Sequence, residues 1–272
     1  MTPQSSISSP SFTFESYGVF VRIESLDAEV LQRAVAVARE ALLENVRIVD
    51  TVTYDHVFEI NSIENGEYML VHNGTELGSS DSFLKLFKFF DGILRVSVGE
   101  YAVGRVFLHA GVVGWNGKAI VMPADSFRGK STLVAELVRN GAEYYSDDFA
   151  VIDADANVHP YPRRLSMRTD DFKTYELTVA DLAGKQGKSP IPVGLVLLTG
   201  YEPDAVWEPM IETPGNGVLK LIPFTLSIRK RPEFSMEVLH KISSHAIIAS
   251  GLRGSAERFV ETLLDFVDKH VN

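Results

Sequence analysis

The sequence predicts an α/β fold in two parts, and three observations support that prediction. Segments with the two-residue alternation of strands are interspersed with segments whose apolar residues recur at helical spacing. The run PIPVGLVLLTGY is apolar along most of its length, which is typical of a strand buried in a sheet that helices cover on both faces. In KAIVMPADSFRGKSTLVAELV, a short apolar run leads through a turn into a stretch with helical periodicity.

The first predicted unit spans residues 11–96 and follows a Ser- and Pro-rich tail, 1–10, that we expect to be disordered. Strand alternation covers FTFESYGVFVRI, VDTVTYDHVFEI and GEYMLVHNG, and Asn65-Gly66 predicts a hairpin turn between the last two. Helical spacing predicts one helix in DAEVLQRAVAVAREALL, with Asp27 as its N-cap, and a second from Ser82 to Leu94. This part is therefore predicted to be a small α/β unit without chemistry of its own.

The second predicted unit spans residues 97–272. Its first elements are a short strand ending at His109, a turn at Asn116-Gly117, a strand over Ala119 to Met122, a helix in GKSTLVAELV and a strand carrying Ser146. We then predict a central strand in PIPVGLVLLTGY, a helix over 216–228, a short strand in HAIIAS and a final amphipathic helix over 255–267.

Composition excludes several classes of function. The net charge of −10 and the lack of a basic run argue against nucleic-acid binding, which needs clustered Lys and Arg. The chain has no cysteine, which excludes disulfides and thiolate metal sites and is compatible with a reducing compartment. The N-terminal residues lack the basic and apolar regions of a signal peptide, and no apolar run approaches membrane-spanning length. We therefore expect a cytoplasmic protein without a membrane partner.

The turn between the strand and the helix predicts a phosphate-binding loop. A helix start presents unpaired backbone N–H groups and the positive end of its dipole to an anion. Lys130 would reach the β- and γ-phosphates as a point charge, and the Ser131 hydroxyl would bind Mg²⁺, with Thr132 as the second candidate. The residues expected at the phosphates are Ala124, Asp125, Ser126, Phe127, Arg128, Gly129, Lys130, Ser131 and Thr132.

The loop departs from the usual pattern G-x-x-x-x-G-K-[ST], because Ala124 stands at the first glycine position. Glycine adopts backbone conformations that are closed to other residues, so its replacement raises the question of whether the loop still closes around a phosphate. The alternative interpretation is an ordinary capped helix start.

From Phe107 to Arg168 the chain resembles the kinase domain of the bacterial HPr serine kinase/phosphorylase family, and more closely the smaller HPr-kinase-like relatives of unassigned substrate. The resemblance rests on LHAGVV, the loop with GKST, YYSDD and HPYPRRLSMR, in that order, and continues thinly through PVGLVLLTGY and GLRGSA. It implies a P-loop kinase domain of the HPr kinase/phosphoenolpyruvate carboxykinase-like type after the small N-terminal unit. Full-length HPr kinases carry G-x-S-G-x-G-K-S, so this chain lacks two of their glycines, at Ala124 and Phe127.

The resemblance implies ATP-dependent phosphorylation of a hydroxyl group with Mg²⁺ as cofactor. The family's phosphate-loop lysine and metal-binding serine correspond to Lys130 and Ser131, its acidic pair to Asp147 and Asp148, and its active-site histidine to His109. Phosphoryl transfer needs a group that orients or deprotonates the attacking hydroxyl and a ligand for the metal, and two adjacent carboxylates can divide these tasks.

Each of these candidates has a structural alternative. In a strand, neighbouring side chains point to opposite faces, so only one of the two aspartates can face the phosphate unless the strand has ended. We predict Asp147 as base or metal ligand and Asp148 as its partner at the metal, the alternative being a solvated loop pair. His109 is either a catalytic residue or a satisfied core histidine. Arg168 and Arg253 are candidates for phosphate binding, and a surface position or a turn is their alternative.

We therefore predict an ATP- and Mg²⁺-dependent kinase that phosphorylates a serine-type hydroxyl of a protein, peptide or small molecule. The alternative is a non-catalytic nucleotide-binding module with regulatory function, which the altered loop favours. The family's tendency to assemble favours a homo-oligomer, and phosphorylase activity is not expected because the segment associated with the reverse reaction is not recognisable.

Overall fold

The computed structural model describes residues 10–63, 66–124, 129–169 and 173–271 and divides into two compact units. One unit ends at Val103 and the other begins at Gly104. The helix predicted to end at Leu94 continues to Tyr101, so the division lies beyond the predicted boundary at residue 96. Nearly all of the predicted tail, 1–9, lies outside the described residues, as does Asn65 of the predicted hairpin turn.

The first unit is a six-stranded sheet with two helices on one face. In chain order its elements are β1 (Ser11–Ser16), β2 (Val19–Glu24), α1 (Ala28–Ala41), β3 (Arg47–Ile48), β4 (His56–Ser62), β5 (Tyr68–His72), β6 (Thr75–Ser80) and α2 (Phe83–Tyr101). The strand order is β3-β1-β2-β4-β5-β6. Inward residues of alternating strands such as β2 meet the apolar stripes of both helices in one core.

Two hairpins in this unit were not predicted. FTFESYGVFVRI was expected to be one strand, but the chain reverses at Tyr17-Gly18, where both residues have positive φ, and forms β1 and β2. A second reversal at Asn73-Gly74, again with positive φ at both residues, adds β6. These positions suit a two-residue hairpin turn, which needs left-handed backbone conformations.

The second unit contains a nine-stranded sheet between two layers of helices. Its elements are β7 (Val106–Trp115), β8 (Lys118–Pro123), α3 (Lys130–Arg139), β9 (Glu143–Ser146), β10 (Phe149–Ile152), β11 (Asn157–His159), β12 (Leu165–Arg168), β13 (Thr174–Leu177), β14 (Lys185–Gln186), β15 (Ile191–Tyr201), β16 (Met210–Ile211), α4 (Pro214–Leu221), α5 (Pro232–His245), β17 (Ile247–Arg253) and α6 (Ala256–His270). Helices α3 and α6 pack in one core, and α4 and α5 in the other. This arrangement confirms an α/β fold.

Three predictions for this unit were wrong in detail. The strand expected to end at His109 continues to Trp115, where the Asn116-Gly117 turn leads into β8. The helix predicted over 216–228 ends at Leu221, since Pro223 has no N–H to continue it, and short 3₁₀ turns follow. Helix α5 was not predicted at all.

The topology brings three strand ends to one edge of the sheet. Strand β15 pairs in parallel with β8 on one side and β17 on the other, so the carboxyl ends of all three, at Pro123, Tyr201 and Arg253, lie along the same edge. Ligands of α/β proteins bind at the carboxyl ends of parallel strands. Among the described residues, no helix combines the length and apolar character needed to cross a membrane.

Candidate functional site

Helix α3 begins without a side-chain cap. It follows β8, as the strand, turn and helix of the sequence predicted, and its N-cap is Gly129, whose φ of 75° lies in the left-handed region. Because glycine offers no side chain to bond the first N–H groups, these amides remain available to a ligand. Four predicted loop residues, Asp125, Ser126, Phe127 and Arg128, lie outside the described residues.

Lys130, the first residue of α3, contacts His109 on the neighbouring strand β7. The Lys130 Nζ atom lies 3.1 Å from His109 Nε2, so in this bond the ammonium donates and an unprotonated imidazole nitrogen accepts. Burial lowers the pKa of Lys130, although the negative charges of Asp147 and Asp148 act to raise it. The predicted lysine and histidine are therefore placed in direct contact.

Gly111 explains how the helix comes so close to β7. A Cβ atom on this residue would lie 2.6 Å from Val134 Cγ2 and 3.1 Å from Lys130 Cγ, closer than side-chain atoms pack. Gly111 is two residues from His109 on β7 and therefore shares its face of the strand. The glycine of LHAGVV thus allows α3 to bring Lys130 next to the histidine.

Asp147 lies in a turn between β9 and β10, where the Ser146 hydroxyl accepts bonds from the N–H groups of Asp148 and Phe149 at 3.1 Å each. Because β9 ends at Ser146, the alternation of a strand does not apply, and the charges of both aspartates act on Lys130. Asp147 is only 8% exposed, although it is ionisable.

The Asp147 carboxyl group contacts Ser131, the predicted metal-binding serine. Its pKa is raised to about 6, chiefly by burial, and the opposing influences are a hydrogen bond from the Ser131 side chain, the charge of Lys130 and the backbone N–H of Ser166. Within the described part of the chain its Oδ1 atom has no hydrogen-bond partner. A buried carboxylate oxygen without a partner is costly unless a ligand completes its shell.

Arg253, the last residue of β17, reaches the start of α3 from across the sheet. Its Nη2 atom donates to the Gly129 carbonyl oxygen at 3.1 Å, and its Nη1 atom donates to the Gly254 carbonyl oxygen at 3.0 Å. The residue is 3% exposed, burial lowers its pKa, and its Nε atom has no hydrogen-bond partner in the described ranges. A buried guanidinium whose hydrogen bonds within the described ranges go to carbonyl oxygens suits an anionic ligand.

The remaining candidates lie around this centre. Ala124 follows β8 and is half-buried, and Thr132 is exposed on the first turn of α3. Arg168 ends β12 on the exposed face of that strand, which it shares with Ser166. The structure thus brings Lys130, Ser131 and the two aspartates together with His109, and it leaves the roles of Ala124, Thr132 and Arg168 as predictions.

Sequence reasoning missed three supporting residues. Ser146 holds the aspartate turn through its hydroxyl, and Ser166 offers its backbone N–H to Asp147. Tyr144 is buried, its hydroxyl donates to the Arg163 carbonyl oxygen at 2.5 Å, and burial raises its pKa. A serine directly before two aspartates is a sequence signal for a side-chain-stabilised turn, but the other two contacts join separate segments and leave no local pattern.

The donor set is compatible with a magnesium ion. The Ser131 hydroxyl and the Asp147 carboxylate are hard oxygen ligands, and one Asp147 oxygen has no hydrogen-bond partner among the residues that the structure describes. Among the described residues no group of three or more His, Cys, Asp or Glu side chains could hold a metal by itself. Magnesium characteristically uses one or two carboxylates together with water and phosphate oxygens, so two protein ligands suffice.

The chain matches no protein-family model and none of the curated proteins. The functional evidence lies in the site itself, where the buried Asp147 and Arg253 and the half-buried Lys130 surround the uncapped start of α3.

Proposed function

We propose that the protein is a kinase that transfers the γ-phosphoryl group of ATP to a hydroxyl group, through an HPr-kinase-like P-loop domain that uses Mg²⁺. The observation that supports this proposal best is the buried carboxyl group of Asp147, which accepts a hydrogen bond from Ser131 and interacts electrostatically with Lys130. Phosphoryl transfer depends mainly on positioning and on electrostatic stabilisation, and this arrangement concentrates both kinds of group at one helix start.

The positive groups suit a triphosphate. The amides at the start of α3, which Gly129 leaves without a side-chain cap, and the Lys130 ammonium would face the β- and γ-phosphates, and Arg253 would add charge on the other side of Gly129. The contact between Lys130 and His109 keeps the lysine side chain beside the helix start while no phosphate is present. His109 is thus a positioning residue for the lysine.

Asp147 suits the part of general base. Above a pH of about 6 its carboxyl group is ionised and can accept the proton of the acceptor hydroxyl. As that proton moves to Asp147, the acceptor oxygen forms a bond to the γ-phosphorus, the bond from phosphorus to the bridging oxygen breaks, and ADP leaves. Bound magnesium would supply charge neutralisation at the phosphates, with Ser131 and Asp148 or Asp147 as its protein ligands.

Transfer from radiolabelled ATP in the presence of Mg²⁺ tests this function across peptide, protein and metabolite pools. Lys130→Met and Asp147→Asn should each reduce transfer at least about 100-fold, because each removes a charge on which positioning and stabilisation depend. Lys118→Met, at the opposite end of β8, is the matched control and should retain activity.

Two other results would contradict the proposed kinase function. Transfer by Asp147→Asn equal to that of the native chain would remove the proposed base. Nucleotide binding that is never accompanied by transfer to any pool would favour the alternative, a regulatory nucleotide-binding module, for which the alanine at position 124 is the supporting observation.

A further inference from the structure

A cavity of about 520 Å³ opens beside the candidate site at the same edge of the sheet. Residues that follow β15 form one wall, and the start of α6 forms the other. The residues that matter here are Tyr201, Asp204, Trp207, Ser255, Phe259 and Thr262. None of them belongs to the phosphate-loop segment, and none was a candidate site residue in the sequence.

We propose that this cavity binds the nucleoside part of the nucleotide whose phosphates lie at the start of α3. The inference rests on the proposed function, because it takes the position of the triphosphate from Lys130 and Ser131. It adds the residues that would hold the base and ribose.

Arg253 connects the cavity to the phosphate-binding residues. One of its nitrogens bonds to Gly129, the N-cap of α3, and another bonds to Gly254, which lines the cavity. Its guanidinium carbon lies 6.0 Å from the ring centroid of Tyr201 and 5.8 Å from that of Phe259, two walls of the cavity. A phosphate next to this guanidinium would therefore have the cavity on one side and Lys130 on the other.

The direction of the triphosphate follows from the charges around it. Asp147, Ser131 and His109 surround Lys130, so the γ-phosphate and the acceptor hydroxyl belong at that end. Arg253 lies at the end of β17 and contacts Gly129 from the side of the cavity. The α-phosphate of the triphosphate would therefore point toward the cavity. The nucleoside would then lie between the end of β15 and the start of α6.

The chemistry of the cavity suits a base and a ribose. Trp207 packs edge-on against Phe259, with ring centroids 5.1 Å apart, and gives the cavity a rigid apolar wall. Tyr201 is 54% exposed at the rim and offers a ring face for stacking. Asp204, Ser255 and Thr262 supply polar groups for ribose hydroxyls or a base edge. The volume lies in the range of about 300 to 1,000 Å³ that small-molecule sites occupy.

The start of α6 adds a second uncapped helix to this region. Its N-cap, Ser255, makes no side-chain hydrogen bond to the helix, so its first N–H groups lack a cap from this residue. The buried Arg253 side chain, whose Nε atom has no hydrogen-bond partner among the described residues, lies two residues before this N-cap. Both features place positive character at the junction of cavity and loop.

Introducing a bulky side chain into the lining of the cavity tests nucleoside binding separately from phosphate binding. Thr262→Phe fills the cavity from an exposed position on α6, and Glu261→Phe, on the next residue outside its lining, is the matched control. Calorimetry with Mg²⁺ and either ATP or inorganic tripolyphosphate should show ATP binding weakened at least about tenfold in Thr262→Phe alone, with tripolyphosphate binding unchanged in both variants.

Fluorescence gives a second measurement that does not depend on the filling variant. The chain has two tryptophans, so Trp115→Phe leaves Trp207 as the only one. Adding ATP, but not tripolyphosphate, should change the Trp207 emission of this variant.

Unchanged ATP affinity in Thr262→Phe, or the same affinity of the native protein for tripolyphosphate and ATP, would overturn the nucleoside site alone. If the native protein binds neither compound, the proposed function fails, and this inference fails with it.

Discussion

The helix starts and the buried titratable groups of the candidate site differ from those of the first unit. In the first unit, Asp27 caps α1 by accepting the N–H groups of Glu29 and Val30, and Ser82 caps α2. In the second unit, Thr213 caps α4 in the same way, whereas α3 and α6, the two helices at the candidate site, begin at Gly129 and Ser255 without such bonds.

The same contrast holds for titratable groups. The buried His56 of the first unit bonds to the ring of His72 at 2.9 Å and to the Ser97 carbonyl oxygen at 3.2 Å. In the second unit, Asp147 and Arg253 are buried with an atom that has no partner among the described residues. An unsatisfied buried polar atom costs about 1 to 3 kcal/mol, so the second unit gives up stability where a ligand could supply the missing partner. In the first unit, the buried His56 is bonded to other groups of the fold instead.

The largest effect that we expect is a change in the free energy of unfolding of Asp147→Asn. Burial raises the pKa of Asp147 to about 6, above its value in an unfolded chain, so the folded state holds a proton that the unfolded state has released. The free energy of unfolding therefore falls as the pH rises from about 4 to about 6, and ionised Asp147 destabilises the protein at pH 7. Asp147→Asn should stabilise the ligand-free protein at pH 7 by up to about 3 kcal/mol.

Urea unfolding at several pH values measures this effect. The gain from Asp147→Asn should be largest at pH 7 and should shrink as the pH is lowered toward 5. Asp148→Asn, at the neighbouring and less buried position, is the control and should give a smaller gain. A native protein more stable than Asp147→Asn at pH 7 would show that the carboxylate has a structural partner instead.

Arg253→Leu should have the next largest effect, on ligand affinity. Removing the guanidinium should weaken binding of ATP and of tripolyphosphate by about tenfold or more, because a charge-assisted bond to phosphate contributes about 1.5 to 3 kcal/mol. Leu252→Ala is the matched control, since Leu252 is the preceding residue of β17 and is 51% exposed. Equal affinities of the Leu252 and Arg253 variants, measured by calorimetry, would contradict a phosphate-binding part for Arg253.

The smallest effect that we expect is on the stability of variants at two helix starts, one with a side-chain cap and one without. Asp27→Ala removes two hydrogen bonds to α1 and should lower the free energy of unfolding by about 1 kcal/mol. Ser255→Ala removes no bond to α6 and should leave the stability of the ligand-free protein within about 0.5 kcal/mol of the native value. Thermal unfolding of both variants is sufficient. A larger loss in Ser255→Ala than in Asp27→Ala would reverse the contrast between the units.

Much of the fold could be predicted where a pattern is local. Apolar spacing and a capping residue predicted α1, and its start at Ala28 after Asp27 confirms both. The two hairpins of the first unit were missed because strand alternation does not show whether a chain continues or reverses; the signals were Tyr17-Gly18 and Asn73-Gly74. Helix α5 has a weaker apolar pattern, and Pro232 at its start was not recognised as a helix signal.

In the candidate site, too, the features set by a local sequence pattern could be predicted, and those set by contacts between distant segments could not. Lys130 and Ser131 belong to a local motif, and the uncapped start of α3 follows from the glycine before them. The bond between Arg253 and Gly129 joins residues that lie far apart in the sequence, and only the parallel pairing of β15 with β8 and β17 brings them together. The burial that sets the pKa of Asp147 likewise depends on packing from several segments.

Titration of ATP with Mg²⁺ into the native protein and into Lys130→Met shows whether Lys130 binds a triphosphate, and it needs no knowledge of the acceptor. We expect the native chain to bind ATP, Lys130→Met to bind it at least about 100-fold more weakly, and Lys118→Met to bind it as the native chain does. Equal affinity of the native protein and Lys130→Met, or no binding by either, would rule out a triphosphate site at the start of α3.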